Sequence, residues 1–342
     1  MMTLSNARVL VTGGCSFIGS HLVERLLERK VASLRVVDDL STGRLENIRA
    51  YVDSGRVELL ERDLTTERVA ADAMRGIDVV FHLAALHGGR GFIERNEASC
   101  SKNLLLDALV WRAACEARVA KYVYASSACV YPVDLQSDPS KPLPLREPMV
   151  GPPYAPDGVY GWAKLSGEIA IRASCQAAGV SAASCRIFTA YGERCLESHA
   201  VIAMIGRAFL GLDPFEVWGT GEQIRNWTYV GDVVAGLLAA AERIDDGSAV
   251  NVGSEEPVRV IDAARLVLEL TGHRAEIALR LDMPTGPQSR TASFEHAKSI
   301  LGWEPKVRFR DGLARTIEWY YAANRSRRDE LARTFERKLL ER

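Results

Sequence analysis

The sequence predicts an α/β protein with a doubly wound parallel sheet and a smaller second lobe, and three observations lead to this prediction. The chain has 342 residues, which is enough for two domains of about 150 residues each. It is 47% hydrophobic and 25% charged, a balance typical of a protein with a packed core. In its first half, short β-branched stretches alternate with amphipathic stretches, as in strand-helix-strand units on a parallel sheet.

The elements of the first half are predicted in the following order. A strand at residues 8–12 precedes a helix whose apolar residues recur at helical spacing up to residue 30. Four more strands are predicted, at residues 34–38, 57–61, 78–83 and 121–125. A long helix over residues 95–118 connects the last two of them, which completes the pattern of a doubly wound sheet.

A proline-rich segment interrupts this alternation. Residues 132–156 contain eight prolines, so the segment is predicted to be a loop, and a loop of this length inside a compact protein is usually functional. After it, a helix is predicted over residues 160–179 and a strand over residues 183–188. Beyond residue 192 the elements become short and rich in glycine and proline, which predicts the smaller lobe.

These boundaries give the expected domain organisation. We expect a first domain over residues 1–188 and a second, substrate-binding lobe mainly over residues 189–342. Residues 225–252 are expected to return to the first domain. The tail at residues 325–342 is strongly charged and is predicted to be a solvent-exposed helix.

Composition excludes several classes of protein. The 43 basic and 44 acidic residues leave a net charge of −1, so no overall field attracts nucleic acid or an anionic membrane. No stretch of 18 or more apolar residues occurs, and no basic region precedes the first strand, so we expect a cytoplasmic protein without a membrane span or secretory signal. The seven scattered cysteines lack metal-ligand spacing, so neither a metal site nor a disulfide framework is expected.

A glycine-containing loop lies between the first strand and the first helix. Gly13 permits a tight turn, Gly19 lets the helix approach the strand, and the free N–H groups at the helix start can bind a pyrophosphate. Ser16 stands at the middle glycine position of the usual fingerprint, which requires a negative φ there. The predicted dinucleotide contacts in this loop are Gly13, Ser16, Phe17, Ile18 and Gly19.

Two acidic residues indicate which dinucleotide binds. Asp38 ends the second predicted strand, where a carboxylate accepts hydrogen bonds from the adenosine ribose hydroxyls and repels a 2′-phosphate. NAD is therefore favoured over NADP. Asp63 follows the third strand and is placed to contact the adenine amine, although a simple turn aspartate is the alternative.

Tyr160 and Lys164 form a candidate catalytic pair. They are four residues apart at the start of a predicted helix and therefore lie on one face. A nearby ammonium favours the phenolate, so we expect a lowered pKa that makes Tyr160 a proton acceptor. This spacing alone is common, but its combination with the glycine loop, Asp38 and the Ser126-Ser127 pair at the end of the fifth strand indicates a catalytic site.

Together these motifs resemble the extended short-chain dehydrogenase/reductase family that acts on nucleotide sugars, which has a Rossmann fold. The resemblance covers nearly the whole chain and includes residues 82–85 (HLAA), 219–230 (GTGEQIRNWTYV), 251–254 (NVGS) and 301–305 (LGWEP). It implies that Ser127 hydrogen-bonds the sugar hydroxyl, Tyr160 removes its proton and Lys164 holds the nicotinamide ribose.

The resemblance also implies how cofactor, substrate and partner subunit are bound. Leu83, Ala84 and Ala85 would contact NAD, which would stay tightly bound and be recycled. Arg225 and Arg290 would hold the diphosphate of a nucleotide sugar, because a guanidinium matches phosphate geometry. Relatives often form homodimers through two long helices, here residues 95–118 and 160–179.

Within the family, two segments resemble GDP-mannose 3,5-epimerase. In residues 125–132, Ala128 and Cys129 replace the Asp-Glu pair of sugar 4,6-dehydratases, and Cys129 matches the acid/base cysteine of the epimerase. A thiol can become a thiolate base, and the alternative is a small core side chain. The segment 86–93 matches the glycine-rich active-site loop, which brings Gly88, Gly89 and Arg90 into the predicted substrate site.

His199 falls where this epimerase has a second acid/base, a lysine. Histidine can transfer protons near neutral pH, whereas a loop histidine is more often merely solvated. We therefore predict an NAD-dependent nucleotide-sugar epimerase that oxidises C4 of a GDP-mannose-like substrate to a transient ketone. Cys129 would then remove a proton from C3 or C5, and His199 would return one on the opposite face.

Three alternatives remain open at this stage. The first is a 4-epimerase of UDP-sugars, which would not need Cys129. The second is a C5,C6-dehydratase of the same family, whose product would be an alkene. The third, from a different class, is an NAD(H)-binding regulator without turnover.

Overall fold

The computed structural model describes residues 4–339. Its strands are β1 (Arg8–Thr12), β2 (Ser33–Asp38), β3 (Glu58–Glu61), β4 (Val79–His82), β5 (Lys121–Ser127), β6 (Pro144–Leu145), β7 (Ser181–Ile187), β8 (Ala190–Tyr191), β9 (Phe215–Trp218), β10 (Ile224–Arg225), β11 (Thr228–Tyr229), β12 (Asp246–Val252), β13 (Val258–Arg259), β14 (Ile277–Arg280) and β15 (Ser289–Ala292).

Its α-helices are α1 (Phe17–Glu28), α2 (Arg49–Asp53), α3 (Glu67–Ala73), α4 (Arg90–Arg95), α5 (Glu97–Cys100), α6 (Lys102–Glu116), α7 (Gly158–Ala178), α8 (Ala200–Leu210), α9 (Val230–Arg243), α10 (Val260–Thr271), α11 (Glu295–Leu301), α12 (Phe309–Asn324) and α13 (Arg328–Lys338). None of the helices within residues 4–339 is long and apolar enough to cross a membrane.

The central feature is a seven-stranded sheet with the order β12-β7-β5-β4-β1-β2-β3, and every neighbouring pair in it is parallel. Successive side chains of β1 point to opposite faces. Val9 packs in a core with α1 and α9, whereas Leu10 packs in a core with α6 and α7. The sheet is therefore covered by helices on both sides, which confirms the predicted doubly wound α/β fold.

The predicted elements of the first half differ from the structure mainly at the long helix. The helix expected over residues 95–118 forms as α5 and α6, which are separated only by a turn at Ser101, whose φ of −61° and ψ of −23° are helical. A separate short helix, α4, precedes them, and the break between α4 and α5 lies at Asn96, whose φ of −128° and ψ of 36° are not helical. The helix expected over residues 160–179 forms as α7 and ends at Gly179, which has a φ of 68°.

The second lobe contains a four-stranded sheet with the order β13-β10-β15-β6. Its strand β6 comes from the proline-rich segment, which otherwise lacks long elements, as predicted. Residues 225–252 contribute α9 and β12, and β12 pairs with β7 at one edge of the main sheet. The chain thus returns to the main sheet after β11, while residues just before α8 line the same cavity as the ends of the main strands.

The charged tail is helical, but the expectation of full solvent exposure is wrong. Leu331 and Phe335 of α13 are each only 2% exposed and join a core with α8, α10 and α12. They are four residues apart and therefore share one helix face, although charged residues surround them in sequence. Gly206 of α8 provides the space for the Phe335 ring, since a Cβ at this glycine would overlap it. Residues 340–342 of the predicted tail lie outside the described residues.

Candidate active site

A cavity of about 750 Å³ lies at the carboxyl ends of the main strands. In open parallel sheets, ligands bind at this edge. With one exception, the predicted site residues line this cavity, and the exception is Gly19, which lies behind the phosphate loop. The lining includes Gly13, Ser16, Phe17, Ile18, Asp38, Asp63, Leu83, Ala84, Ala85, Gly88, Gly89, Arg90, Ser127, Cys129, Tyr160, Lys164, His199, Arg225 and Arg290.

The loop between β1 and α1 has the backbone that a phosphate-binding turn requires. Gly13 has a φ of 70°, a conformation that glycine adopts without strain. Ser16 has a φ of −81°, so a serine is tolerated at this position, and its hydroxyl donates to the Gly13 carbonyl over 2.5 Å. A Cβ at Gly19 would overlap the same carbonyl oxygen. The turn thus brings the first N–H groups of α1 to the edge of the cavity.

The acidic residues at the adenosine end are held by backbone groups. The Asp38 carboxylate accepts hydrogen bonds from the N–H groups of Cys15 and Leu40, each at 2.9 Å. Burial raises the pKa of Asp38, while these two bonds act in the opposite direction. Asp63 accepts from the Thr65 N–H over 2.8 Å, so it does form a local turn while it also lines the cavity.

Lys164 points at a buried carboxylate in the structure. Its Nζ lies 3.5 Å from Asp107 Oδ2 and 4.8 Å from the centre of the Tyr124 ring. Asp107 also accepts hydrogen bonds from Tyr124, at 2.5 Å, and from His82, at 3.0 Å. Burial opposes ionisation of Asp107, but Lys164 and His82 hold the pKa of this carboxyl below its usual value.

The expectation that Lys164 lowers the pKa of Tyr160 is wrong for this structure. Burial raises the pKa of Tyr160 well above its usual value, and the negative charge of Asp107 adds to this effect. The Lys164 ammonium lies 5.9 Å from the centre of the Tyr160 ring, with Asp107 closer to it. The phenol is therefore protonated at pH 7 in this structure.

The residues around this end of the cavity fit a dinucleotide. Lys164 Nζ is buried and paired with Asp107 at 3.5 Å, but it has no hydrogen-bond acceptor among the described residues, so its donor capacity is not filled. The turn at Gly13 and the carboxylate of Asp38 lie on the same cavity wall. A dinucleotide with one ribose at Asp38, its pyrophosphate at the turn and its second ribose near Lys164 would satisfy these groups.

Cys129 is hydrogen-bonded to the start of α7, the helix that carries Tyr160 and Lys164. It lies in a 3₁₀ turn after β5, where its N–H donates to Ser127 Oγ over 3.2 Å. Its carbonyl oxygen accepts from the Asp157 N–H over 2.8 Å. Gly161 allows this approach, because a Cβ there would overlap the Cys129 carbonyl. The turn thereby sets Cys129 beside Tyr160, with which it shares a small apolar cluster.

Three arginines converge near Cys129. Arg290 donates to Cys129 Sγ over 3.3 Å, to Asp157 over 2.8 Å and to Gln136 over 2.6 Å. Arg90 donates to Asp157 over 2.8 and 3.2 Å. Arg225 donates to two backbone carbonyls, and burial together with the charges of Arg290 and Arg90 lowers its pKa to about 9. The surplus of positive charge suits a diphosphate.

Two imidazole rings face the cavity near Tyr160. The centre of the His87 ring lies 5.5 Å from that of Tyr160 and 5.4 Å from that of His199. Burial lowers the pKa of His87 to about 3 and that of His199 to about 4. Both imidazoles are therefore neutral at pH 7, with unprotonated ring nitrogens, and burial makes them weaker bases than a free histidine.

Besides Asp107, three residues of this site were not predicted from the sequence. His87 lies within the glycine-rich segment that the resemblance had already singled out, so that segment was a usable signal. Asp157 stands just before the helix with Tyr160, at the N-cap position where aspartate is common. Gln136 offers no comparable signal, because it is brought to Arg290 by the path of a proline-rich loop.

Comparison with known proteins decides the family. The model of the NAD dependent epimerase/dehydratase family matches residues 9–253. The chain belongs to this family. The match includes the glycine loop, Cys129 and the Tyr160-Lys164 pair, and it confirms both the predicted extended short-chain dehydrogenase/reductase membership and the NAD cofactor.

Individual members of the family resemble the chain over most of its length. A Bacillus subtilis (strain 168) protein named as an uncharacterized UDP-glucose epimerase, YtcB, is 29% identical over 319 residues, which is 91% of this chain and 97% of that protein. A structure of Thermotoga maritima UDP-glucose 4-epimerase with UDP-glucose has a TM-score of 0.82 and 28% identity, covering 92% of this chain and 99% of that chain. MoeE5, solved with UDP-glucuronic acid and NAD, has a TM-score of 0.80 and 31% identity over the same shares.

Proposed function

We propose that the chain is an NAD-dependent nucleotide-sugar epimerase that inverts C3, C5 or both through a transient 4-ketone. The observation that carries this proposal is the position of Cys129. Its thiol lines the same cavity as Tyr160, and a guanidinium of Arg290 lies 3.3 Å from its sulfur. A 4-epimerase mechanism has no use for an acid/base at this point, whereas proton exchange at a carbon next to the ketone requires one.

The cofactor would lie along the wall formed by the loop after β1. The turn at Gly13 would hold the pyrophosphate, Asp38 the adenosine ribose, and Lys164 the nicotinamide ribose. Bound NAD would supply the hydride acceptor and donor for C4 of the sugar and the positive charge of its nicotinamide ring. That charge acts against the effect of burial on Tyr160.

The chain's own residues would carry out the proton transfers. Tyr160 accepts the proton of the C4 hydroxyl, and Ser127 orients this hydroxyl by a hydrogen bond. Formation of the 4-ketone acidifies the hydrogens on C3 and C5. Cys129 and His199 then exchange a proton with one of these carbons, one residue removing it and the other returning it. Net inversion results when the two act on opposite faces.

Substrate binding would rest on the arginines. Arg225 and Arg290 would hold the diphosphate, while Arg90 borders the sugar through its pairing with Asp157. The loop at residues 86–93 supports a GDP-mannose-like sugar, as its resemblance implies. The names of the similar proteins point instead to a uridine diphosphate. We therefore test GDP-mannose and UDP-sugars side by side.

A 4-epimerase of UDP-sugars is the second candidate function. Its support is the similarity to Thermotoga maritima UDP-glucose 4-epimerase over 92% of this chain. In that reaction Tyr160 and Lys164 suffice, and the ketone is reduced again from its other face. Replacement of Cys129 would then cost little activity.

The two functions are distinguished by proton NMR in deuterated water. GDP-mannose, UDP-glucose and UDP-glucuronic acid are incubated separately with wild type, Cys129→Ala and the control Cys115→Ala, whose half-buried thiol lies outside the cavity. We expect deuterium at C3 or C5 with wild type and Cys115→Ala, and a loss of about 100-fold or more with Cys129→Ala.

Other outcomes would overturn the proposal in different directions. Inversion at C4 without solvent deuterium would establish the 4-epimerase. A vinylic signal would indicate the C5,C6-dehydratase. Bound NAD with no change in any nucleotide sugar would support a regulator without turnover.

We also propose that the chain forms a homodimer through α6 and α7. Large apolar side chains remain exposed on these two adjacent helices, with Leu104 at 44%, Trp162 at 47% and Ile169 at 45% exposure. Light scattering after gel filtration should give twice the chain mass of 37.6 kDa. Trp162→Glu should give the monomer, since a charge would be buried without a partner. A monomeric wild type would contradict the proposal.

A further inference from the structure

His87 and His199 lie against each other on the cavity wall, although they come from different lobes. His87 belongs to the loop after β4, and His199 immediately precedes α8. The two ring centres are 5.4 Å apart, with an angle of 32° between the ring planes. Within residues 4–339, neither imidazole is hydrogen-bonded to another protein group, so the ring nitrogens remain available to a ligand.

A close backbone contact between Gly89 and Ser198 places the two histidines next to each other. A Cβ at Gly89 would overlap the carbonyl oxygen of Ser198, so only glycine lets the loop after β4 come so near to the residue before His199. On the other side, the His199 N–H donates to Leu196 over 3.1 Å, and its carbonyl accepts from Ala203 over 2.9 Å. Each histidine is thus held by the backbone of its own lobe, and the contact of the two lobes sets their spacing.

We propose that His87 and His199 act as one acid/base pair that is neutral at rest and takes up one proton at a time during turnover, and that His87 is a further catalytic residue of the epimerase. This inference rests on the function proposed above. The pair takes a proton from the carbon next to the 4-ketone, and the electron pair of the C–H bond moves into the enediolate. The Cys129 thiol supplies a proton to the opposite face. The pair and the thiolate are then restored by exchange with solvent, and no further reactant is needed.

The charges around the pair favour one proton over two. His87 faces Tyr160 and Lys164 of α7 as well as His199. Burial, then the charge of His199 and then that of Lys164, lowers the pKa of His87, while burial lowers that of His199. Protonation of one imidazole therefore disfavours protonation of the other. The resting pair is neutral, so a ring nitrogen is free to accept the substrate proton, and the lowered pKa returns that proton to solvent readily.

The catalytic role is tested with two replacements of His87. His87→Phe keeps a ring between Tyr160 and His199 but removes both nitrogens, whereas His87→Gln keeps a polar group. Deuterium entry into GDP-mannose, UDP-glucose and UDP-glucuronic acid is followed by NMR, and reduction of the bound NAD is followed at 340 nm. His296→Gln is the control, because His296 is an exposed histidine on α11.

We expect both His87 variants to lose deuterium entry at C3 or C5 by about 100-fold while reduction of the bound NAD persists. His296→Gln should match wild type. If His87→Phe retains deuterium entry within about twofold of wild type, the ring only packs and the inference is overturned. If wild type reduces its NAD but exchanges no carbon-bound proton, the proposed function fails, and the catalytic role of His87 fails with it.

The pairing has a test that does not depend on turnover. The histidine ring protons of the purified protein with its NAD are titrated by NMR in wild type and His199→Gln. Removal of the His199 charge should raise the apparent pKa of His87, whereas His296→Gln should leave it unchanged. An unchanged His87 titration in His199→Gln would overturn the pairing.

Discussion

Burial of His87 and His199 should make the free energy of unfolding depend on pH. The share of each histidine can be measured by replacing it with glutamine. In the unfolded chain a histidine titrates with a pKa of about 6.5. In the folded chain burial lowers the pKa to about 3 at His87 and to about 4 at His199. Their contribution to stability is therefore complete above about pH 6.5 and is lost as the pH falls toward the folded pKa values, because only the unfolded state binds the protons.

The size of the effect follows from these values. Between pH 7 and pH 5, linkage gives a loss of about 2 kcal/mol in the free energy of unfolding for each imidazole, and about 4 kcal/mol for the pair. Water in the cavity screens part of this difference, so we expect about 1 to 2 kcal/mol for each ring. Replacement of a histidine by glutamine removes its share of the pH dependence.

Urea unfolding at pH 7, 6 and 5 measures this share. The free energy of unfolding of wild type should fall more steeply with acid than that of His87→Gln or His199→Gln, and the double variant should show the shallowest dependence. The exposed His296→Gln should run parallel to wild type. Parallel curves for wild type and the double variant would refute the argument that the cavity keeps both imidazoles neutral.

Three further changes test other parts of the structure. Gly19→Ala places a Cβ on the Gly13 carbonyl oxygen, and since overpacking costs about 1 to 3 kcal/mol we expect NAD affinity to fall by about tenfold or more in calorimetry; unchanged affinity would mean that the turn adapts freely. Asp107→Asn leaves the Lys164 ammonium buried without its carboxylate, so the free energy of unfolding in urea should fall by about 3 to 5 kcal/mol, and a loss below about 1 kcal/mol would contradict the buried pair. Phe335→Ala empties a site that is 2% exposed and should cost about 3 to 5 kcal/mol, whereas an exposed α13 would lose almost nothing.

Local sequence signals were sufficient for six of the seven strands of the main sheet, and β12 was expected only as part of a returning segment. The strands alternate with amphipathic helices, and fully buried parallel strands are rich in β-branched residues, so β1 could be placed without tertiary information. The same local signals failed at α13. Most residues of α13 are charged or polar, and only the four-residue spacing of Leu331 and Phe335 indicates a buried face. A pattern of two apolar residues is too short to outweigh its charged neighbours in a sequence.

The catalytic pair shows a different limit. The spacing of Tyr160 and Lys164 places both on one helix face, which the structure bears out. It carries no information about Asp107, which comes from another helix and lies nearer to the ammonium than the phenol ring does. The direction of a pKa shift depends on burial and on all the charges around the group. The spacing of two residues in the sequence therefore cannot determine whether the pKa rises or falls.

The histidine pair depends on the contact between the two lobes. His87 and His199 are separated by most of the first domain in sequence, and neither has a partner that local spacing could reveal. They come together because Gly89 has no side chain, which leaves room for the Ser198 carbonyl oxygen at this position. Gly89 and Ser198 line the same cavity as Tyr160. A glycine that looks like a flexible loop residue in the sequence therefore determines which proton-transfer groups face the sugar, and Gly89→Ala should separate the two imidazoles even though it changes neither of them.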